Sequence, residues 1–187
     1  MTTSETELAA EDRVMLFIDG SNFYHGLKTT GSNRISFQKF ADKLCHGRKL
    51  VSIEYYNCPL NQQHDPNGYS GQLRFFNAIK KIPKLNLHLA RLVPRRDVTK
   101  KHTAIIEKGL DVMLAIHMFK HAISDNYDVA ILVSGDGDFA PAVELIRRAY
   151  KKRIEVANFE TTRSDYLVSV CDKLWELDKE DLKTCQV

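Results

Sequence analysis

Short apolar runs, separated by polar and glycine residues, are the clearest pattern in the chain. Three of the runs are rich in β-branched and aromatic residues, which is typical of buried parallel strands. Two weaker runs predict further strands, and the alternation of Leu85, Leu87 and Leu89 supports one of them. In chain order, the five predicted strands cover residues 14–18, 51–57, 86–93, 129–134 and 153–159.

Helical spacing of apolar residues fills the intervals between these strands. Ser36 stands where a helix N-cap is expected, and Pro141 falls in a first turn, where proline is tolerated. The pattern at 109–123 is the most apolar, so we expect that helix to be enclosed in the core. The predicted helices cover residues 36–45, 69–81, 109–123, 139–150 and 164–177.

The alternation of strands and helices predicts an α/β fold. Its sheet is expected to be doubly wound and mostly parallel, with about five strands and helices on both faces. A chain of 187 residues suits one domain. We assign 1–11 to a flexible leader, 12–177 to the domain and 178–187 to a C-terminal tail. In such folds the working site lies beyond the carboxyl ends of the strands.

Composition narrows the class of protein only slightly. No apolar run approaches the roughly 20 residues of a membrane helix, and the polar, acidic start does not resemble an export signal. The four cysteines form no CxxC pair, which predicts reduced thiols, a cytoplasmic location and no zinc site. The net charge of +3 is too small to indicate nucleic-acid binding by itself.

Aspartates follow two of the strongest strands. Asp19 comes directly after the first strand, and Asn22 falls where the next helix would begin. Asp136 and Asp138 follow the strand at 129–134 and are separated by glycine, which lets the backbone bend. Each motif alone is equally well explained by helix caps and turns. If the two strands are neighbours, however, three carboxylates converge.

Clustered carboxylates repel one another unless a cation neutralises them. Magnesium and manganese suit a site made only of oxygen ligands. Asp111 is a fourth candidate, near the start of the apolar helix, where an unpaired acid is costly. The alternative for Asp111 is a first-turn aspartate that the helix dipole stabilises.

Three sequence blocks together resemble the signature of a known family. The blocks are DGSN at 19–22, EKGLDV at 107–112 and SGDGDF at 134–139. They are similar in kind, order and spacing to those of the NYN domain family, in its LabA-like branch of the PIN-like nuclease superfamily. The resemblance covers roughly residues 13–177.

The resemblance implies a Rossmann-like three-layer α/β/α sandwich and a ribonuclease that depends on Mg²⁺ or Mn²⁺ and leaves 5′-phosphate ends. Ser164, Leu167 and Asp172 resemble the closing helix of the family, where we expect a structural role. The implied metal and catalytic acids are Asp19, Asp111, Asp136 and Asp138, with Asn22 orienting a carboxylate or a phosphate oxygen and with Ser21 and Ser134 supporting the acids.

One position departs from the family pattern. Relatives often carry a second acid six residues after the one that matches Asp111, and this chain has His117 there. Six residues rotate a helix by about 240°, so the two side chains should not share a face. We expect a buried neutral histidine that spares the first metal, although a second metal or a partner contact is put in doubt.

Basic residues predict a path for RNA. Arg91, Arg95, Arg96, Lys100, Lys101, His102 and Lys108 crowd into a segment that we expect to be a loop at the rim of the site. A solvated basic loop is the alternative. A second basic patch, 147–153, should lie at the far end of its helix. Tyr24, His25 and Tyr69 could stack on bases, whereas Tyr55 and Tyr56 are expected in a strand, one facing in and one out.

Three rival functions remain open at this stage. A non-catalytic RNA-binding or regulatory module fits the change at His117. A haloacid-dehalogenase-type phosphatase would need a second acid two residues after Asp19, where the chain has Ser21. A dinucleotide-binding protein is disfavoured because Gly135 and Gly137 form only a GxG pair, interrupted by an acid. The sequence also leaves room for a homodimer.

Overall fold

The computed structural model describes residues 11–31, 34–97 and 102–187, with side chains described outside 94–108. The strands are β1 Arg13–Asp19, β2 Lys49–Asn57, β3 Leu85–Leu89, β4 Arg91–Asp97, β5 His102–Lys108, β6 Val129–Val133, β7 Arg153–Asn158 and β8 Lys173–Glu176. The helices are α1 Gly20–Thr30, α2 Phe37–Cys45, α3 Pro66–Ile79, α4 Leu110–Ile123, α5 Ala140–Tyr150, α6 Asp165–Val170 and α7 Lys179–Lys183. Short 3-10 helices occupy Gly137–Phe139 and Glu160–Thr162.

Six strands form one sheet in the order β3-β2-β1-β6-β7-β8, and every neighbouring pair is parallel. The chain starts in the middle at β1, builds outward through β2 and β3, and then crosses back to β6 on the other side of β1. The order of strands therefore reverses between β1 and β6. In open parallel sheets, ligands bind at the carboxyl ends of the strands at such a switch point.

Helices cover both faces of the sheet, which confirms the expected three-layer α/β/α sandwich. Val14, Leu16 and Ile18 of β1 point into one core layer, whereas Met15 and Phe17 point into the other. The first layer also holds buried side chains of α1, α2 and α3, and the second holds those of α4, α5 and α6.

Because helices cover both faces of the sheet, the expectation for two tyrosines of β2 is wrong. Tyr55 and Tyr56 are 2% and 0% exposed, so neither faces solvent. They belong to opposite core layers, because successive side chains of a strand alternate between two faces that are both covered here.

The single strand expected at 86–93 is wrong, because the chain changes sheet in the middle of that run. β3 ends at Leu89, and Ala90 N donates a last hydrogen bond to Asn57 O at 2.9 Å. From Arg91 onward, β4 pairs with β5 in a separate antiparallel hairpin. The basic segment that we expected to be a loop is therefore largely a two-stranded ribbon, and Lys100 and Lys101 lie outside the described residues.

Helix α4 is not enclosed in the core as its apolar sequence predicted. Leu114 and Met118 are buried, but Val112, Ile116 and Ile123 are 62%, 58% and 59% exposed. Only one face of the helix packs on the sheet, and composition alone cannot say how many faces are covered. Even α4 falls short of a membrane span, and no helix in the described ranges is long and apolar enough to be one.

The last 24 residues of the chain differ most from the prediction. The helix expected at 164–177 ends at Val170, and the chain then adds the sixth parallel strand, β8. The predicted tail at 178–187 instead forms α7 and packs into the domain. Leu182 and Cys185 are 0% and 1% exposed, and Cys185 O accepts a 2.8 Å hydrogen bond from Ser36 N.

The start signals of two helices were predicted correctly, whereas the start of a third helix was predicted too late. The Ser36 side chain accepts from Lys39 N at the start of α2, as expected for an N-cap. Pro141 lies in the first turn of α5. Helix α3 begins three residues earlier than predicted, at Pro66, because Asp65 caps it and proline suits a first position.

Candidate metal centre

A row of polar side chains crosses five neighbouring strands near the carboxyl edge of the sheet, on the face that α4, α5 and α6 cover. Strand pairing aligns His88 with Tyr56, and Tyr56 with Asp19. The same register places Ser134 beside Asp19 and Asn158 beside Ser134, one residue beyond the last paired positions of β6. On β1, β6 and β7 the other buried side chains of this face are apolar, whereas β2 also carries the buried Ser52 and Glu54.

Asp19 forms the centre of this row and is only 6% exposed. Its Oδ1 accepts hydrogen bonds from Ser21 N and Asn22 N, both at 3.1 Å, and thereby caps α1. Its Oδ2 accepts from Ser134 Oγ at 3.1 Å. Burial raises the pKa of Asp19, and the nearby Asp136 carboxylate raises it further. Capping is thus one role of Asp19, and it also fixes the carboxylate at the switch point.

The loop after β6 is tied to α1 by a short chain of hydrogen bonds. Asp136 N donates to Ser134 Oγ, and Gly135 N donates to Asn22 Oδ1, each at 3.1 Å. Asp136 Oδ1 in turn accepts from Asp138 N at 2.9 Å and caps the 3-10 helix. The Asn22 side chain therefore aligns the two loops that carry the acids.

Close approach of backbones explains one of the glycines in this loop. A Cβ on Gly135 would lie 1.8 Å from Thr162 O, well inside contact distance. Because Thr162 belongs to the segment after β7, Gly135 lets two neighbouring strand-end loops touch. Thr162 also lines the cleft in front of Asp19.

Asp111 approaches the same cleft from a third direction. It lies in the first turn of α4, after Gly109, whose φ of 79° lets the chain turn from β5 into the helix. Burial raises the pKa of Asp111, and the carboxylates of Asp19, Asp136 and Asp138 add to that rise. Asp111 is therefore close enough to the other three acids to be affected by their charge.

The shared cleft has a volume of about 380 Å³. Three of the four predicted acids line it, whereas Asp138 does not and is exposed beside it. Asp138 influences the cleft through its charge and through its backbone contact to Asp136. The lining comprises Asp19, Ser21, Asn22, His25, Leu110, Asp111, Asp136 and Thr162.

A divalent cation fits the chemistry of this cleft. The acidic donors are all oxygens, and their mutual repulsion is the kind that a bound cation relieves. Within the ranges that the structure describes, no three acidic, imidazole or thiolate side chains are already close enough together to hold one ion. The three acids that line the cleft would have to lie closer together than they do here to hold one cation between them.

Comparison with known sequences now identifies the family. A sequence model of the NYN domain matches residues 13–178, nearly the whole chain. The chain belongs to the NYN domain family. This agrees with the signature blocks at 19–22, 107–112 and 134–139, and the α/β sandwich fits the PIN-like superfamily.

Individual relatives of this NYN domain are distant. The low amplitude and bright protein LabA of Synechococcus elongatus is 25% identical, over 89% of this chain and 84% of LabA. The 6-hydroxy-3-succinoylpyridine 3-monooxygenase HspA of Pseudomonas putida is also 25% identical, over 77% of this chain and 58% of HspA. This chain therefore spans little more than half the length of HspA.

A solved structure supports the NYN fold. A protein of unknown function from Vibrio parahaemolyticus superposes with a TM-score of 0.71, over 94% of this chain and 98% of that one, at 24% identity. At this identity the match supports the architecture of the domain and carries no information about its activity.

The NYN position that departs from the family pattern points away from the acidic cleft. His117 Nδ1 lies 3.1 Å from the Tyr56 hydroxyl, and its ring lies 4.8 Å from that of His88. Burial lowers the pKa of His117, which favours the neutral imidazole. His88 Nε2 contacts the buried Glu54 carboxylate at 2.6 Å. His117 thus belongs to a polar cluster over β2 and β3, on a different face of α4 from Asp111.

The basic residues of this NYN domain divide into two groups. The side chains of Arg95, Arg96 and Lys108 fall in the part of the hairpin whose side chains are not described, so their role stays a prediction. In the second patch, Arg147 pairs with Asp172 and Lys152 pairs with Asp125. Those cations are therefore partly neutralised within the fold.

Sequence reasoning overlooked two residues at the site, Thr162 and Asn158, and named His25 only as a residue that could stack on bases. His25 and Thr162 line the cleft, and Asn158 is 1% exposed at the end of β7. Neither amide atom of Asn158 has a hydrogen-bond partner among the described residues. Asn158 was missed because the predicted strand at 153–159 enclosed it, whereas β7 ends at Asn158. The helical spacing of His25 from Ser21 would also have placed it beside the cleft.

Proposed function

We propose that this NYN domain is a ribonuclease that hydrolyses phosphodiester bonds with Mg²⁺ or Mn²⁺ held in the acidic cleft. The supporting observation is that Asp19, Asp111 and Asp136 reach one cleft from three different elements, at the switch point of a parallel sheet. Acids gathered from distant parts of the chain are costly for the fold, which favours a functional reason for their position.

The residues of the cleft have different roles in this proposal. Asp19, Asp111 and Asp136 would hold the cation, which when bound polarises a phosphate and lowers the pKa of a water. Ser134 and the start of α1 hold the Asp19 carboxylate in one orientation. Asn22 keeps the two acid-bearing loops in register. Asp138 would strengthen the negative field from outside the cleft.

RNA is the proposed substrate because the chain belongs to this family. The described side chains show no contact that would sense a 2′-hydroxyl. The hairpin of β4 and β5 leads into the Asp111 helix, so its basic residues are placed by the chain path to meet a phosphate backbone. The proposed RNA-binding residues are Arg95, Arg96, Lys100, Lys101, Lys108 and Tyr24.

The names of the two relatives do not extend directly to this chain. HspA is named a monooxygenase, but this chain spans only 58% of its length. The acidic donors in the cleft are carboxylate oxygens, which suit Mg²⁺ and Mn²⁺ and phosphate chemistry. Hydrolysis is therefore the activity that the cleft supports best. The cytoplasmic location and the homodimer stay predictions.

A non-catalytic regulatory module is the second candidate. It is favoured by one observation, that no trio of acidic, imidazole or thiolate side chains in the described residues already has metal-binding spacing. LabA, the relative that covers most of this chain, also carries a name that describes no enzyme activity.

A cleavage assay separates the two candidates. The purified chain is incubated with 5′-labelled single-stranded and hairpin RNAs in Mn²⁺, Mg²⁺ or EDTA. We expect metal-dependent cutting, and a loss of about 100-fold or more in Asp19→Asn and Asp136→Asn. Asp42→Asn, an exposed acid on α2, is the matched control and should keep full activity. RNA left intact in both metals, or full activity in Asp19→Asn, would exclude the nuclease.

A further inference from the structure

Helix α1 carries functional side chains on two adjoining faces. Ser21, Asn22 and His25 line the acidic cleft, as expected for positions one turn apart on a helix. Tyr24 follows on the neighbouring face and is 53% exposed. The side chain before it, Phe23, is 2% exposed and packs in the core. Tyr24 therefore lies on the solvent-exposed side of α1, outside the core.

Tyr24 is part of a small aromatic and cationic surface. Its ring centroid lies 5.7 Å from that of His25, with the rings at 65°, and Lys28 Nζ stands 4.5 Å from the Tyr24 centroid. Lys28 forms no ion pair with an acid among the residues described here, so its charge is available to a ligand. Lys28 lies about 9 Å along the helix from Asn22. The surface thus runs from the cleft outward along α1.

These features together match the requirements of an unpaired nucleotide. A nucleobase can stack on an exposed aromatic ring, and a nearby lysine can bind the adjoining phosphate. A carboxylate cleft repels the phosphate backbone, so cationic contacts beside it are needed to retain a strand. In a duplex the base is already stacked and paired and cannot reach a side chain at the surface.

We propose that Tyr24, His25 and Lys28 form a subsite for one unpaired nucleotide next to the scissile phosphate. Tyr24 stacks on the nucleobase, Lys28 binds the phosphate beyond it, and His25 contacts the sugar-phosphate where the strand enters the cleft. The subsite rests on the proposed nuclease function and adds a substrate class to it, single-stranded RNA.

Equilibrium binding tests the subsite without any cleavage. Dye-labelled 12-nucleotide RNA is titrated in EDTA as a single strand, as a duplex of the same sequence, and as a single strand with abasic positions. Base stacking is worth about 1–3 kcal/mol by alanine substitution, so Tyr24→Ala should weaken single-strand binding by about 5- to 150-fold. Tyr24→Phe, which keeps the ring, should bind within about threefold of the wild type.

Two controls make the result specific. Leu145→Ala removes a side chain of similar exposure (50%) on α5 and should bind normally. The wild type should distinguish the intact strand from the abasic strand, and Tyr24→Ala should lose that distinction. Equal affinity of Tyr24→Ala and the wild type for the intact strand, or equal affinity of the wild type for duplex and single strand, would overturn the proposal.

Failure of the binding experiment can be distinguished from failure of the cleavage assay. If Tyr24 contributes to single-strand binding and RNA is never cut, the subsite is supported and the nuclease is not. If RNA is cut and Tyr24→Ala binds and cuts single strands as the wild type does, the nuclease is supported and the subsite is excluded.

Discussion

At the scale of single residues, two glycines differ in the space that a side chain would have around them. Gly135 lies against the backbone of Thr162, where a Cβ would fall 1.8 Å from the carbonyl oxygen. Gly71 lies within α3, and the nearest atom to its added Cβ is the end of the Arg74 side chain at 3.9 Å. The same substitution should therefore have opposite effects at these two positions.

We expect Gly135→Ala to lower the free energy of unfolding by about 1–3 kcal/mol, because the loops after β6 and β7 must separate. The displacement also moves Asp136, so the proposed RNA cleavage should fall as well. Gly71→Ala should instead raise stability by about 0.5–1 kcal/mol, since alanine is the better helix former. Urea denaturation measures both changes. A Gly135→Ala protein as stable and active as the wild type would show that the two loops do not touch.

At the scale of elements, helix α4 links the core to the site. Its N-terminus brings Asp111 to the cleft, one face packs on the sheet, and another face is apolar and exposed. The orientation of this helix is therefore the feature that places Asp111. Which face of α4 is packed can be tested with two substitutions that remove similar side chains from opposite faces of the helix.

Leu114→Ala should destabilise the protein by about 2–5 kcal/mol, because Leu114 is 1% exposed and a cavity would remain. Ile116→Ala, at 58% exposure, should change stability by no more than about 0.5 kcal/mol. Chemical denaturation of the two variants at the same protein concentration gives the comparison. Similar losses at both positions would mean that the exposed face of α4 is covered in solution, and a concentration dependence would point to a second copy.

The sequence predicted the central elements because their signals are local. Apolar β-branched runs mark β1, β2, β6 and β7, and Ser36 marks the start of α2 by a cap that needs no distant partner. The acids followed from the rule that strand ends meet at one edge. What failed depended on distant partners: the change of sheet at Ala90, the strand β8, and the burial of Cys185 each require knowledge of what lies opposite.

At the scale of the whole molecule, the two edges of the sheet carry opposite electrostatic balances. At the amino edge, Arg13 contacts Asp128 at 2.7 Å and holds the pKa of that carboxyl down to about 2. At the carboxyl edge, burial and mutual repulsion raise the pKa values of Asp19 and Asp111, which means that their charged forms cost stability in the metal-free protein. Neutralising these carboxylates, by protonation or by the proposed cation, should therefore stabilise the domain.

This difference gives a test of the metal centre that does not depend on catalysis. In EDTA at neutral pH, Asp111→Asn should melt at a higher temperature than the wild type, because a repelling charge is removed from the cleft. Added Mn²⁺ should raise the melting temperature of the wild type by mass action, since the ion binds only the folded site. The same Mn²⁺ should stabilise Asp111→Asn less. The difference in melting temperature between the two proteins should therefore become smaller or change sign. Asp42→Asn, remote on α2, should respond to Mn²⁺ as the wild type does. If Asp111→Asn is the less stable protein in EDTA, or gains as much from Mn²⁺ as the wild type, Asp111 is a helix-dipole residue and the cation is not held there.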